Sequence, residues 1–260
     1  MNILEQLAAH AKERCENAKQ QQSLSDIRRR AEELPKGNFA FENALKTQDI
    51  AFICECKKAS PSKGLIAPEF PYLQIAREYE AAGADGISVL TEPKWFLGSD
   101  AYLEEIAAAV NIPCLRKDFT VDEYMIYEAK LLGASAVLLI AAILSPAQLQ
   151  EYICICDALG LSALTEAHDE AEVGVALDAG ARIIGVNNRN LKDFSVDTEN
   201  SRRLRAQIPQ QVLFVSESGV KTAGDVQRLR EIGADAVLIG ETLMKAPDKK
   251  QKLTELRGSV

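Results

Sequence analysis

Histidine is scarce in this chain of 260 residues, which contains only His10 and His168. Two histidines leave little room for a histidine-based catalytic triad or for a metal cage. The six cysteines include two CxC pairs, at positions 54/56 and 154/156, which match neither the CxxC spacing of zinc sites nor a dense disulfide framework. We therefore predict that the cysteines are buried, reduced thiols.

Excess positive charge and long apolar runs are also lacking. The formal net charge of −8 argues against binding nucleic acid through an overall basic surface, although a local cluster of lysine and arginine can hold a small anion. The longest apolar run, residues 131–144, is too short to span a bilayer. No basic and apolar leader opens the chain, so we expect a cytoplasmic protein without membrane or nucleic-acid partners.

From residue 48 onward, apolar strand candidates alternate with amphipathic helices. The dipeptide Gly-Ala recurs at 83–84, 133–134, 180–181 and 233–234, each time between a helix and a strand. A repeat of about fifty residues corresponds to two βα units, and four such repeats give eight. The pattern predicts an α/β protein, a single (β/α)₈ TIM barrel spanning residues 1–260. An open doubly wound sheet is the alternative, weakened by the absence of GxGxxG after the first strand.

Residues 1–47 differ from the rest and predict an N-terminal helical extension. Leu4, Leu7 and Ala11 keep helical spacing, and a second helix continues until Pro35 and Gly37. The arginine run at 28–30 is typical of a solvated helix face.

The stretch FICECKK at 52–58 turns from apolar to charged at its end. Period-two alternation places Glu55 and Lys57 on one face of a strand and Cys54 and Cys56 on the other. Charges on the inner face of a buried strand are costly unless they are paired or used in chemistry. A structural ion pair and a catalytic pair are both compatible with this stretch alone.

Polar residues follow the predicted ends of other strands too. We predict strands that end near Glu55, Leu90, Lys117, Ala141, Glu166, Asn187, Glu217 and Gly240. In such barrels the active site is built from these carboxyl ends. Three carboxylates, two lysines, an asparagine and Arg189 therefore converge on one mouth. Any one of them could serve a structural ion pair, but the whole set indicates function.

The loops after strands 7 and 8 predict a phosphate site. Such loops often hold phosphate on backbone N–H groups, and glycine lets the backbone approach the anion. Gly219 follows Ser218 in the first loop, and Gly240 begins the second. Because the side chain of Glu241 would repel phosphate, only its backbone N–H suits this role.

Aromatic residues occur in the loops after strands 2 and 3. Trp95, Phe96 and Phe119 suit a substrate with an aromatic ring. Simple coverage of the barrel rim is the alternative interpretation.

With these residues in place, the sequence closely resembles the indole-3-glycerol-phosphate synthase family, the ring-closing enzymes of tryptophan biosynthesis. The N-terminal helical extension is also a feature of that family. The matching segments are ECKKASPSKG (55–64), SVLTEPKWFLGS (88–99), LRKDF (115–119), LTEAHD (164–169), IGVNNRNL (184–191), VSESG (215–219) and LIGETLM (238–244).

The resemblance implies a carbon–carbon lyase, a decarboxylase that converts 1-(o-carboxyphenylamino)-1-deoxyribulose 5-phosphate to indole-3-glycerol phosphate with loss of carbon dioxide and water. It implies no cofactor and no metal. Its partners would be this small-molecule substrate and, through association, other tryptophan-pathway enzymes.

The resemblance also implies roles for individual residues. Lys117 matches the general acid of ring closure, Glu166 the acid/base group of the later dehydration, and Lys57 the lysine near the substrate carboxylate. The polar residues that hold the sugar hydroxyls, the anilino nitrogen and the lysines match Glu55, Asn187 and Glu217. Substrate and phosphate positions match Ser60, Arg189, Ser218, Gly219, Gly240 and Glu241, and the aryl pocket matches Phe96, Phe119 and Leu138. Glu241 departs from members with serine there, which puts a side-chain phosphate contact in doubt.

Two other functions fit the same residues. A Schiff-base aldolase of this barrel class would use Lys57 or Lys117 as its nucleophile. A non-catalytic phosphosugar-binding module would keep the phosphate site alone, but the intact set of Glu55, Lys57, Lys117 and Glu166 argues against it.

Overall fold

In the computed structural model, which describes residues 2–190 and 194–258, eight parallel strands close into a barrel. Each strand pairs with its neighbours in chain order, and the first pairs with the last. The strands are β1 Ala51–Cys56, β2 Gly86–Leu90, β3 Cys114–Lys117, β4 Ala136–Ile140, β5 Ser162–Ala167, β6 Ile183–Asn187, β7 Leu213–Glu217 and β8 Ala236–Ile239. The predicted (β/α)₈ barrel is confirmed, and the open sheet is wrong.

Helices surround the barrel. They are α1 Ile3–Gln21, α2 Leu24–Glu33, α3 Ala40–Ala44, α4 Tyr72–Ala81, α5 Asp100–Ala109, α6 Tyr124–Leu131, α7 Pro146–Leu159, α8 Glu170–Asp178, α9 Glu199–Arg205, α10 Ala223–Glu231, α11 Glu241–Met244 and α12 Lys249–Arg257. A short hairpin of Ala59–Ser60 and Gly64–Leu65 follows β1, and a 3₁₀ turn, Ala141–Ile143, follows β4. Neither was expected from the sequence.

The predicted repeat has a local physical basis. The glycines of the four Gly-Ala pairs adopt a left-handed backbone, with φ between 74° and 85°, which ends each helix before the next strand begins. The strand ends lie within one residue of the predicted ones, so the mouth of the barrel carries the polar residues expected there. Leu191, the last residue of the IGVNNRNL motif, lies outside the described residues.

The N-terminal helix α1 lies across the mouth of the barrel. Arg14 donates to the buried Asp118 at 2.6 Å, and His10 approaches Glu92 at 3.1 Å. Because Asp118 directly follows the last residue of β3, this ion pair fixes α1 to the strand end that carries Lys117. Farther along the chain, the arginines at 28–30 are exposed on α2, as expected.

The cysteine prediction is confirmed for five thiols and wrong for Cys154. Cys15, Cys54, Cys56, Cys114 and Cys156 are buried and free. Burial raises the pKa of the Cys15 and Cys114 thiols to about 12, so both stay protonated. Cys154 is exposed because Ile153 and Cys156 occupy the inward face of α7, which turns position 154 toward solvent.

We expect the double variant Cys54→Ser, Cys56→Ser to lose stability but keep its turnover number. Both thiols pack outside the barrel, away from Glu55, and each buried hydroxyl left without a partner costs about 1–3 kcal/mol. Thermal unfolding and steady-state kinetics measure the two effects. The exposed Cys154→Ser is the matched control and should change neither. Loss of turnover in a folded double variant would contradict the strand orientation.

Candidate active site

A cavity of about 650 Å³ opens at the carboxyl ends of the strands. The residues that match site positions of the family all line it, namely Glu55, Lys57, Ser60, Phe96, Lys117, Phe119, Leu138, Glu166, Asn187, Arg189, Glu217, Ser218, Gly219, Gly240 and Glu241. The strand register brings the side chains together, because Asn187 is paired with Glu217 and Ile140 with Glu166. Their chemical roles stay predictions.

Lys117 lies at the centre of the charged groups. Its Nζ is 3.2 Å from Glu166 Oε2 and 3.6 Å from Glu217 Oε2. Burial alone would lower the pKa of Lys117, but the neighbouring carboxyl groups, above all Glu166, outweigh this effect and raise the pKa above its usual value. The ammonium therefore keeps its proton at neutral pH, as a general acid must before it donates.

The two carboxyls beside Lys117 differ in their environments. Burial would raise the pKa of Glu166, but the charges of Lys117 and His168 hold it below its usual value. Burial raises the pKa of Glu217 to about 8, and the nearby carboxylates Glu166 and Glu55 add to the rise against the effect of Lys117. Near neutral pH, Glu166 is thus a carboxylate while Glu217 retains its proton.

A second ion pair lies at the end of β1. Lys57 Nζ donates to Glu55 Oε1 at 2.6 Å, and Ser88 Oγ on β2 donates to Glu55 Oε2 at 3.3 Å. Burial would raise the pKa of Glu55, but the charges of Lys57 and Lys117 lower it. This pair faces the same cavity as Lys117.

Asn187 ties the ends of β6 and β7 together. Its Oδ1 accepts from the backbone N–H of Arg189 and from Ser218 Oγ, both at 3.0 Å. Ser218 has a left-handed backbone with φ of 66°, which costs energy for a residue other than glycine. The hydrogen bond from its hydroxyl helps to hold this turn, which leads directly into Gly219.

The candidate phosphate loops lie side by side. Gly219 has φ of +100°, and a Cβ there would lie 2.8 Å from Thr198 Cγ2 and 2.9 Å from Val196 Cγ1. The carboxylate of Glu241 is neutralised by Lys245 at 2.6 Å and has Lys63 within 4.0 Å. Glu241 therefore does not face the cavity as an isolated negative charge.

Aromatic side chains form the opposite wall. The rings of Phe96 and Phe119 are 6.0 Å apart, and Leu138 lies in the same lining. Glu92 fixes the loop that carries Phe96, because its Oε2 accepts the backbone N–H groups of Trp95 and Phe96 at 2.8 and 3.0 Å. Trp95 itself packs edge-on against His10, at 5.4 Å between ring centroids, which agrees with the rim interpretation for this residue.

Several lining residues were missed in the sequence. Ile3 and Leu7 reach the cavity from α1, and Lys63, Lys221 and Lys245 add positive charge near the candidate phosphate loops. None of these follows a strand directly, so the strand-end pattern gives no signal for them. His168 was also missed, although it contacts the lining residue Glu166 at 3.4 Å. It lies two residues after Glu166, and the period of a strand predicts that the two share a face.

Within residues 2–190 and 194–258, no group of three or more histidine, cysteine, aspartate or glutamate side chains is arranged to hold a metal ion. The helices in this part of the chain are too short or too polar to cross a membrane.

A family model described as indole-3-glycerol phosphate synthase matches residues 4–256. The chain belongs to the indole-3-glycerol phosphate synthase family. A member from Ruminiclostridium cellulolyticum is 59% identical over 259 residues, covering 99% of this chain and 100% of the relative. One from Leuconostoc mesenteroides is 51% identical and covers 98% and 99% of the two chains. The expected synthase, a carbon–carbon lyase of tryptophan biosynthesis, is confirmed.

Solved structures of low sequence identity share the fold of this synthase family member. Thiamine phosphate pyrophosphorylase from Pyrococcus furiosus matches with a TM-score of 0.60 at 16% identity, covering 83% of this chain and 95% of that one. For 3-hexulose-6-phosphate synthase from Salmonella typhimurium the TM-score is 0.62 at 14% identity, with 80% and 96% covered. These similarities support the assignment of the barrel fold, and they say nothing about the reaction.

We expect Glu217→Gln to gain stability relative to the parent protein as the pH rises. Because the folded protein raises the pKa of Glu217 to about 8, its contribution to stability is complete below the ordinary carboxyl pKa and is lost as pH rises through about 8. Glutamine does not titrate, so it avoids this loss. Thermal or urea unfolding of both proteins from about pH 5 to about pH 9 measures the difference. A difference that does not change with pH would contradict a buried, protonated Glu217.

Proposed function

We propose that the residues around this cavity divide the synthase reaction among themselves, with 1-(o-carboxyphenylamino)-1-deoxyribulose 5-phosphate as substrate. The observation that carries the proposal is the buried Lys117 ammonium, held between the carboxyl groups of Glu166 and Glu217 at 3.2 and 3.6 Å in a cavity with an aromatic wall. A proton donor that is buried among fixed charges and needs no reorganisation suits a reaction that develops negative charge on a carbonyl oxygen.

Lys117 acts as the general acid for ring closure. The aryl carbon that bears the carboxylate attacks the ketose carbonyl carbon, which breaks aromaticity and places charge on the carbonyl oxygen. Lys117 donates its proton to that oxygen, and departure of carbon dioxide restores the aromatic ring. The raised pKa of Lys117 also disfavours the Schiff-base aldolase, because a nucleophilic lysine needs a neutral amine.

Glu166 handles the proton of the later dehydration. Its carboxyl contacts Lys117 and faces the same cavity, so it can reach the hydroxyl that ring closure creates. Loss of this hydroxyl as water requires a proton, and Glu166 delivers it once it has itself been protonated. Glu55, Asn187 and Glu217 hold the lysines and the substrate's polar atoms in place.

The two ends of the substrate occupy opposite sides of the cavity. Phe96, Phe119 and Leu138 contact the aryl ring, and Lys57 lies near the substrate carboxylate. The phosphate binds the backbone of the loops at Gly219 and Gly240, which supply N–H donors. Ser60, Arg189, Ser218 and the backbone of Glu241 complete the substrate and phosphate contacts.

The proposal extends to the whole chain. Residues 1–260 form one domain, in which residues 1–47 are an extension that packs on the barrel. The protein is cytoplasmic and associates with other tryptophan-pathway enzymes; the absence of an excess of basic residues agrees with an enzyme that does not bind nucleic acid.

We expect Lys117→Met and Glu166→Gln to stop the reaction at different points. A proton donor contributes ~10²–10⁴-fold in rate, so Lys117→Met should lose at least that factor while substrate still binds. Arginine should not restore activity, because its guanidinium does not release its proton. Glu166→Gln should allow ring closure and then stall, because an amide cannot deliver the proton for dehydration.

Rapid-quench analysis separates these two outcomes. Lys117→Met should accumulate only unreacted substrate, whereas Glu166→Gln should accumulate a cyclised species. If both variants stop with unreacted substrate, the division of labour between the two residues is wrong.

We expect Gly219→Val to weaken the binding of inorganic phosphate about tenfold or more. Valine disfavours the left-handed φ of this position by about 1–3 kcal/mol, so the loop leaves the conformation that presents its N–H groups to the anion. The added side chain would also press on Val196 and Thr198. Isothermal titration calorimetry with inorganic phosphate measures the change. Gly174→Ala is the matched control, since a Cβ at Gly174 meets no atom within 4 Å.

Gly240→Val tests the second loop less cleanly. A Cβ at Gly240 would overlap Glu55 Oε1 and crowd Lys57 Nζ, so this variant also disturbs the ion pair at the end of β1. Phosphate binding that survives in both Gly219→Val and Gly240→Val would place the anion elsewhere.

A further inference from the structure

His168 is a partly buried titratable group that has no role in the proposed mechanism. Its ring nitrogen Nε2 is buried, lies 3.4 Å from Glu166 Oε1 and makes no hydrogen bond. The distance allows an ion pair, and a small rotation of the ring would align a hydrogen bond to Glu166. Catalytic hydrogen bonds are often long before substrate binds.

The other side of the imidazole is firmly oriented. Its Nδ1 lies 3.0 Å from Glu172 Oε2, and the same oxygen accepts the backbone N–H of His168 at 2.8 Å. The backbone carbonyl of His168 accepts from Asn200 Nδ2 at 3.1 Å. Since a carboxylate only accepts, Nδ1 carries a proton, and the ring presents Nε2 to Glu166.

Glu166 is far more buried than the two groups behind it. The side chain of Glu166 is 3% exposed, that of His168 is 19% exposed and that of Glu172 is 22% exposed. His168 therefore touches both the reacting carboxyl and a partly solvated one. A proton can pass from water to the cavity through the imidazole without entering by the route that bound substrate occupies.

The reaction requires such a supply. The substrate loses a carboxylate as neutral carbon dioxide and a hydroxyl as water, so each turnover takes up one proton from solution. Lys117 gives its proton to the carbonyl oxygen and can regain one from the C–H bond next to nitrogen when the indole forms. The second donated proton, which leaves in water, must come from outside the site.

We propose that His168 is a positioning and relay residue that loads Glu166 with the proton used in dehydration, with Glu172 orienting the imidazole. This proposal rests on the proposed function of Glu166. Once Lys117 has given its proton to the carbonyl oxygen, its charge no longer lowers the pKa of Glu166. The imidazolium then donates from Nε2 to Glu166, Glu166 donates to the departing hydroxyl, and His168 regains its proton from water. The sum is one proton taken up per turnover, with no other reactant.

The charges around His168 favour the imidazolium. The negative charges come from Glu166 on β5 and Glu172 on α8; the carboxyl of Glu217 on β7 is also nearby but keeps its proton near neutral pH, and α9 contributes the neutral amide of Asn200. Burial would lower the pKa of His168, but the hydrogen bond to Glu172 and the charge of Glu166 raise it above its usual value. The donor is thus present near neutral pH and is lost as pH rises through this raised pKa.

The test compares His168→Gln and His168→Ala with the parent enzyme. We expect His168→Gln to lower kcat about 10²-fold, the lower part of the range for a positioned proton transfer. Rapid quench should show ring closure at the parental rate followed by accumulation of the cyclised species. Imidazole added to His168→Ala should restore dehydration, a rescue that a purely structural role would not give.

The pH dependence provides a second and independent readout. In the parent, kcat should fall as pH rises through the pKa of His168, and His168→Gln should lack this fall. Glu172→Gln keeps an oxygen that accepts from the ring but removes the charge, so the fall should move to lower pH. Glu170→Gln, an exposed carboxylate at the start of the same helix, is the matched control and should behave as the parent.

Two results would overturn the relay. One is a His168→Gln enzyme with parental kcat and pH profile. The other is a slow His168 variant that stops before ring closure or does not respond to imidazole, which would make the residue structural. Formation of indole product by the parent, measured in parallel, keeps these results separate from a failure of the proposed function.

Discussion

The position of Lys117 among three buried carboxyls is the constraint on which the site depends. Glu166 and Glu217 lie 3.2 and 3.6 Å from its Nζ, and Glu55 also faces the cavity. Without the ammonium, buried negative charges would be uncompensated, which is strongly destabilising. The same ammonium is the proposed acid. The charge of Lys117 therefore both stabilises the site and supplies the donated proton. Because Glu217 is protonated, the cluster does not carry excess negative charge.

This balance explains where substrate charge can be accommodated. The ammonium groups of Lys57 and Lys117 match the carboxylates of Glu55 and Glu166, so the centre of the cavity offers little surplus charge to an anion. Surplus positive charge lies instead at the rim, in Lys63, Lys221 and Arg189. A phosphate is best bound there, beside the glycine loops, while the reacting centre stays electrically close to neutral before substrate arrives.

The sequence predicts those parts of this arrangement that depend on neighbouring residues. Four Gly-Ala pairs marked the helix ends, and period-two alternation placed Glu55 inside the barrel and Cys54 outside. Contacts between distant segments could not be predicted in this way. Arg14 and Asp118 are 104 positions apart, so no local pattern indicates that α1 covers the mouth of the barrel. The contact between His168 and Glu166 was predictable, because their spacing follows the strand period.

Two glycines in the barrel are needed because no side chain fits at their positions, and not because of their backbone conformation. Neither Gly185 on β6 nor Gly240 after β8 has a left-handed backbone, yet a Cβ at Gly185 would overlap Glu217 Oε1 and one at Gly240 would overlap Glu55 Oε1. Glycine inside a strand often marks such a close approach. The carboxyls of Glu217 and Glu55 thus lie directly against bare backbone, which excludes water from one side of each group. That exclusion is a physical source of the raised pKa of Glu217, since burial is its main cause.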